Sequence, residues 1–335
     1  MSHSLHSGLN LVTDWEECHE AAAHLVSGGA PFFLGRVGGS DTDAVVDYLA
    51  ARNEGTADAL QHVTDRHLAR VMKFNGFYDL DRSTDKFFRY LRLLLQCYEQ
   101  CARFALVGRQ LLNMYFPDNL NPAFRNEPLQ DVEKYARLID GIANNHGQVT
   151  CFPYPFYEKI VFDRFTLFRA FSKTLPGKRV LVVSPFSESI EANFGNRCAF
   201  FKDYEYPDFD LLTLATPITY SDLPREYYPH ADWFETTEAL KGQLRELEFD
   251  IALLACGSYA VPLGLFIEQE LGRQAIYVGG VLQLFFGIMG RRYDNPFFLD
   301  QINPDKFILP VERSKYLGHV TVAHDTPRDA FGAYF

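Results

Sequence analysis

Arg179-Val180-Leu181-Val182-Val183-Ser184, Asp250-Ile251-Ala252-Leu253-Leu254-Ala255 and Gln274-Ala275-Ile276-Tyr277-Val278 are short apolar runs, the first of them rich in β-branched residues. Each gives way to a serine- or glycine-bearing junction and then to a helical pattern. Strands that are apolar on both faces belong inside parallel sheets, where helices cover both sides. Leu211-Leu212-Thr213-Leu214 reads as a further strand. Helices are expected over 187–202, 232–247, 259–271 and 281–289. Strands alternating with helices imply right-handed crossovers and an open, doubly wound, mostly parallel α/β sheet of Rossmann-like type. Residues 178–292 therefore read as a parallel α/β unit with a ligand site on the loops that follow its strands.

Working outward, Pro31-Phe32-Phe33-Leu34-Gly35 is a buried-strand candidate expected to join the same sheet. A glycine turn, Arg36-Val37-Gly38-Gly39-Ser40, precedes a helix over 41–51 with Ser40 or Asp41 as its N-cap. Helices are expected at 60–76 and 83–103; in the second, Phe87, Leu91, Leu94, Tyr98 and Cys101 form one apolar face. Strand-like runs at 104–108 and 149–152 and helices at 128–145 and 158–173 complete this region. The resulting division is an α/β core of 1–54 and 174–292, a largely helical insertion of 55–173 with added strands, and a proline- and aromatic-rich segment, 293–335, that wraps the surface.

A chain of 335 residues makes one large or two modest domains. Its net charge of −11, with no basic run, argues against nucleic acid as a partner. Local arginines, helix N-termini or a metal can still hold an anionic nucleotide on an acidic chain. No apolar stretch is long enough for a membrane span, and the N-terminus has no signal-like apolar segment. The six cysteines form no CxxC pair, which fits reduced thiols in a cytoplasmic protein. No Walker loop, zinc-type histidine spacing or GxSxG elbow occurs.

Four strand-to-helix junctions could carry chemistry. At 35–43, Gly38 and Gly39 allow close backbone approach, Arg36 could pair with a phosphate, and Asp41 and Asp43 could share a divalent cation. A capped helix start explains them equally well. At 184–191, Ser187 and Ser189 could hold a phosphate or sugar hydroxyl, and Glu188 or Glu191 could act as a base; acidic residues in a first helical turn are the simpler explanation. Arg197 is an anion-ligand candidate or a surface charge. At 255–264, Gly257 and Ser258 leave room for a nucleotide and Tyr259 could stack on its base. Cys256 has no histidine nearby in sequence to activate it. At 278–292, Gly279 and Gly280 could admit a nucleoside or diphosphate, and Gln283 is a lone polar residue in an apolar helix that should meet a specific partner. Arg291 and Arg292 read as charges complementing a helix C-terminus.

Taken in order, GRVGGSD, VLVVSPFSESIEANFGNR, DIALLACGSYAVPLG and QAIYVGGVLQLFFGIMGRR resemble a GT-D-fold glycosyltransferase-like family of bacterial polysaccharide-associated proteins. The likeness covers about 31–52 and 178–292. It implies transfer of a sugar from a UDP- or GDP-linked donor to a glycan or small-molecule acceptor in surface polysaccharide or glycoconjugate biosynthesis. A divalent cation, Mn2+ or Mg2+, would assist; the sequence leaves open whether the protein forms a homo-oligomer. The family's metal-binding DxE motif reads here as Gly39 and Asp41, with Asp43 two residues further on. The base candidates are Asp41, Glu188 and Glu191. The rival readings are another transferase of nucleotide- or phosphate-bearing ligands on this scaffold, and a non-catalytic binding protein.

Overall fold

The computed structural model describes residues 8–107, 109–116, 132–153, 166–219, 223–290 and 296–316. Among the described residues the eight strands are β1 (Leu9–Leu11), β2 (Phe32–Gly38), β3 (Arg103–Val107), β4 (Val149–Pro153), β5 (Arg179–Ser184), β6 (Asp210–Ala215), β7 (Ile251–Leu254) and β8 (Gln274–Tyr277). They form one sheet in the order β1-β4-β3-β2-β8-β7-β5-β6. Every pairing is parallel. The chain is thus an α/β protein with an open parallel sheet. β2 lies at the middle of this sheet, paired to β8 through Phe32↔Gln274, Phe33↔Ala275 and Leu34↔Ile276. The region 55–173 supplies β3 and β4, which extend the sheet on the other side of β2.

Helices α1 (Trp15–Ser27), α2 (Ser40–Glu54), α3 (Ala57–Asn75), α4 (Thr84–Glu99), α5 (Arg109–Tyr115), α6 (Val132–His146) and α7 (Thr166–Thr174) belong to the N-terminal half. In the C-terminal half lie α8 (Ser187–Asn193), α9 (Trp233–Arg245), α10 (Ala260–Gln269) and α11 (Leu282–Phe285). α10 is buried from Ala260 through Ile267, because it lies across the middle of the sheet. Gly264 is there for contact: a Cβ at that position would sit 2.1 Å from the Phe33 ring of β2. In the helical layer, Asp47 of α2 accepts from His67 at 2.8 Å and Arg66 at 3.0 Å on α3, and from Lys134 at 2.8 Å on α6. Burial alone would raise its pKa; these donors and charges hold it well below the ordinary carboxylate range.

Several local expectations are corrected. The β2 strand runs to Gly38 rather than stopping before Arg36, because Arg36, Val37 and Gly38 pair with Ala105, Leu106 and Val107. The N-cap of α2 is Gly39, not Ser40 or Asp41. The helix after β5 ends at Asn193 and continues as a 3-10 turn, Phe194–Ala199. The Asn193 amide is drawn to the carbonyls of Gly287 and Lys306, at 3.0 and 3.1 Å. The last helix of the unit is only Leu282–Phe285; Gly287, at φ +68°, turns the chain out of it. The pair Arg291 and Arg292, the whole stretch 154–165 and the chain beyond 316 lie outside the described residues.

The segment 296–316 lies against this framework. Asn303 donates to the Ala199 carbonyl at 2.7 Å, and Glu312 accepts from the Ser189 amide at 3.0 Å. Among the described residues, no helix is long and apolar enough to cross a membrane. All six cysteines are free thiols; only Cys198 is exposed.

Candidate functional site

The chain runs outward from β5 to the edge strand β6, then back past it to β7 and inward to β8. The loops after β5 and β7 therefore leave in opposite directions, and a crevice opens above their carboxyl ends, where open α/β sheets bind ligands. A cleft of about 170 Å³ lies there, walled by the ends of β2, β5, β6, β7 and β8 and by the end of α3.

One side of the cleft is cationic and tightly packed. Arg36 leaves β2 with its guanidinium 4.6 Å from the Tyr277 ring centroid and its Nη1 3.5 Å from the Val278 carbonyl oxygen. Gly279 lies against it at φ +80°, and a Cβ there would be 1.8 Å from Nη1. The glycine is required both by its backbone conformation and by the arginine it faces. Gly280 continues this wall, and the Tyr277 hydroxyl donates to the Gly257 carbonyl at 3.2 Å. The facing side is apolar, built from Phe74, Phe186, Pro217 and Ile218. On this side too, Thr216 is 6% exposed, and its hydroxyl oxygen is buried with no hydrogen-bond partner among the described residues. A buried hydroxyl without a partner is costly, and a ligand group could relieve that cost.

Of the residues singled out in the sequence, Arg36, Gly257, Tyr259, Gly279 and Gly280 meet at this cleft. Tyr259 serves differently from expectation. Its ring is stacked on Trp233, 5.6 Å away at 11°, and its hydroxyl bonds Thr219 at 3.1 Å, so it braces the wall instead of receiving a base. Ser258 accepts from the Trp233 indole at 2.8 Å. Gln283 is buried; its amide donates to the Ile288 carbonyl at 3.3 Å, while its Oε1 has no hydrogen-bond partner among the described residues. Gly38 fits against the Val107 carbonyl, where any Cβ would clash, and Gly39 caps α2. Both are structural glycines.

Of the 184–191 junction only Pro185 and Phe186 line the cleft; the side chains expected to bind there do not. Ser187 is buried, while the Ser189 amide and hydroxyl both donate to Glu312, so a carboxylate of this same chain takes the place foreseen for a phosphate. Glu188 pairs with Lys315, Glu191 accepts from the Thr213 hydroxyl, and Arg197 pairs with Asp208 at 2.9 Å. All three are turned to these surface partners.

Asp41 lies just behind the cleft wall. Its Oδ1 accepts from the Tyr90 hydroxyl at 2.9 Å, and the side chain also meets Asn75, a cleft residue. Burial pushes its carboxyl up to about 6; the Tyr90 and Asn75 hydrogen bonds and the Arg36 charge oppose this, while Asp43 adds to it. Asp43 accepts from Tyr135 and pairs with Arg70 at 3.2 Å. The two carboxylates thus serve separate partners and do not form the chelate that a divalent cation needs. Among the described residues no group of three or more His, Cys, Asp and Glu side chains could hold a metal ion. Burial also drives the Cys256 thiol far above its ordinary range, which removes it as a nucleophile.

Sequence reasoning missed two parts of the cleft. Thr216-Pro217-Ile218-Thr219 follows β6, a strand end not weighed among the four junctions, and the rule that ligands sit beyond strand ends would have included it. Phe74-Asn75-Gly76 comes from the end of α3, where Gly76 at φ +85° is a recognisable helix stop. No protein-family model, curated protein or solved structure matches the chain.

Proposed function

We propose that the cleft binds a nucleotide sugar and that the protein, on a GT-D-type scaffold, transfers the sugar to an acceptor hydroxyl in surface polysaccharide or glycoconjugate assembly. The supporting observation is the two-sided lining: a fixed guanidinium beside side-chain-free glycines faces an apolar wall. A nucleoside diphosphate has matching ends, one anionic and one flat. Arg36 would take diphosphate oxygens and stabilise the charge that builds as the anomeric C–O bond breaks toward the leaving phosphate. Phe74, Phe186 and Ile218 would cover the base, with Thr216 hydrogen-bonding its edge or the ribose. Asp41 would accept the proton of the acceptor hydroxyl as that oxygen bonds to the anomeric carbon. A carboxyl held near 6 suits a group that takes up a proton close to neutrality.

A second reading is binding without transfer. It is favoured by a specific feature: among the described residues no Asp or Glu side chain lines the cleft itself, and Asp41 stands behind Asn75. Thermal shift with UDP and GDP, alongside donor-sugar hydrolysis, separates these readings. Stabilisation by either nucleotide, with affinity about five- to tenfold weaker in Thr216→Val, supports the site. Hydrolysis of the donor supports the transferase; stabilisation without turnover of any donor supports the binding protein. No shift with any nucleotide sinks both.

A further inference from the structure

We infer that the anionic part of the ligand is held directly by Arg36 and the 278–280 loop, with no divalent cation bridging it to Asp41 and Asp43. This rests on the reading of the cleft as a nucleotide site.

The geometry of α2 is the first ground. Asp41 and Asp43 are its second and fourth residues. Successive helical residues advance about 100°, so these side chains leave the helix about 200° apart. Their partners lie accordingly. Asp41 faces Tyr90 of α4 and Asn75 at the end of α3. Asp43 faces Tyr135 of α6 and Arg70 of α3, inside the helical layer. A Mg2+ ion requires near-octahedral oxygen ligation, and Mn2+ favours similar oxygen sites, so the ligands must converge on one point. Bringing both carboxylates to one ion would break the Tyr135 and Arg70 contacts and turn Asp43 around its helix.

The second ground is what stands beside the cleft instead. Arg36 carries a permanent positive charge held in position from three directions: the Tyr277 ring, the Val278 carbonyl and the Gly279 backbone. A planar guanidinium fixed in this way binds phosphate oxygens through paired N–H donors, with little side-chain freedom left to lose. It supplies the counter-charge that a metal supplies elsewhere. The glycines at 279 and 280 let the anion approach without a side chain between.

The test is calorimetric titration of the 335-residue chain with UDP and GDP, in EDTA and again in Mn2+. Affinities that agree within about twofold between the two conditions are expected. Asp43→Asn should leave affinity in EDTA unchanged, and Arg36→Ala should weaken it about tenfold or more. Binding seen only with Mn2+, or tightened about tenfold by it and lost in Asp43→Asn, overturns the inference while leaving the nucleotide site standing. Because the main comparison uses the unaltered protein, a variant that fails to fold does not weaken it. If neither nucleotide binds in either condition, the nucleotide reading fails and this inference fails with it.

Discussion

At the scale of single residues, Asp41 is under opposing demands. Burial raises its carboxyl from an ordinary 3.8 to about 6, even with Tyr90 and Asn75 donating to it. Between those values the folded chain binds more protons at this site than the unfolded chain does. Stability therefore falls as pH rises from about 4 to about 6 and is flat with respect to this group above that. Asp41→Asn keeps an acceptor for the Tyr90 hydroxyl and removes the charge. The variant should be more stable than the parent by about 1–3 kcal/mol near pH 8, with the difference gone below about pH 4. Urea unfolding across that range measures it, and a difference that does not change with pH would contradict the assignment. A residue that costs stability beside a cleft is what a site shaped for function before stability would contain. Arg36 and Asp41 could be singled out from the sequence because glycines surround them. Thr216 could not, because its meaning lies in a buried hydroxyl with nothing to bond, and spacing carries no record of that.

Among elements, the joint between α8 and the segment 296–316 is the most specific. The Ser189 amide and hydroxyl both donate to Glu312, which is 4% exposed, and the Val311 amide donates to the Ser189 hydroxyl at 2.8 Å. Glu312→Ala leaves two buried donors without an acceptor, which costs about 1–3 kcal/mol for each group left unsatisfied. The expected result is faster amide exchange and earlier proteolytic cutting near 309–316, with the sheet core unchanged. Protection equal to the parent would show that the other contacts, among them Asn303 with Ala199, Phe307 on Phe200 and Lys315 with Glu188, hold the segment without it. The elements themselves were largely readable. Four of the strands are dense β-branched or leucine-rich runs, and the helices between them carry a clear period. What escaped was anything set by distant partners: β1, only Leu9–Leu11, exists because β4 pairs with it, and α11 is short because Gly287 turns away.

For the whole molecule, the decisive fact is that no sheet edge separates the two halves. β8 is bonded to β7 on one side and β2 on the other, and Phe33 fills the space beside Gly264. A fragment of 174–316 would expose that apolar seam. It should show no cooperative thermal transition by near-UV circular dichroism, whereas the full chain should; an independently melting fragment would prove the halves separable. The strand order that produces this seam could not be read from local pattern, since pairing across 240 residues leaves no trace in any short window. It also sets a schedule for biosynthesis. Residues 32–34 cannot find 274–276 until those residues have left the ribosome, on the order of ten to fifty seconds later at ordinary rates of synthesis. Throughout that interval Phe32 and Phe33, which end almost wholly enclosed, lack their native cover on the β8 side. The nascent chain thus carries an apolar strand that waits for a partner made much later, which makes it a natural client for chaperones that shield apolar segments during translation.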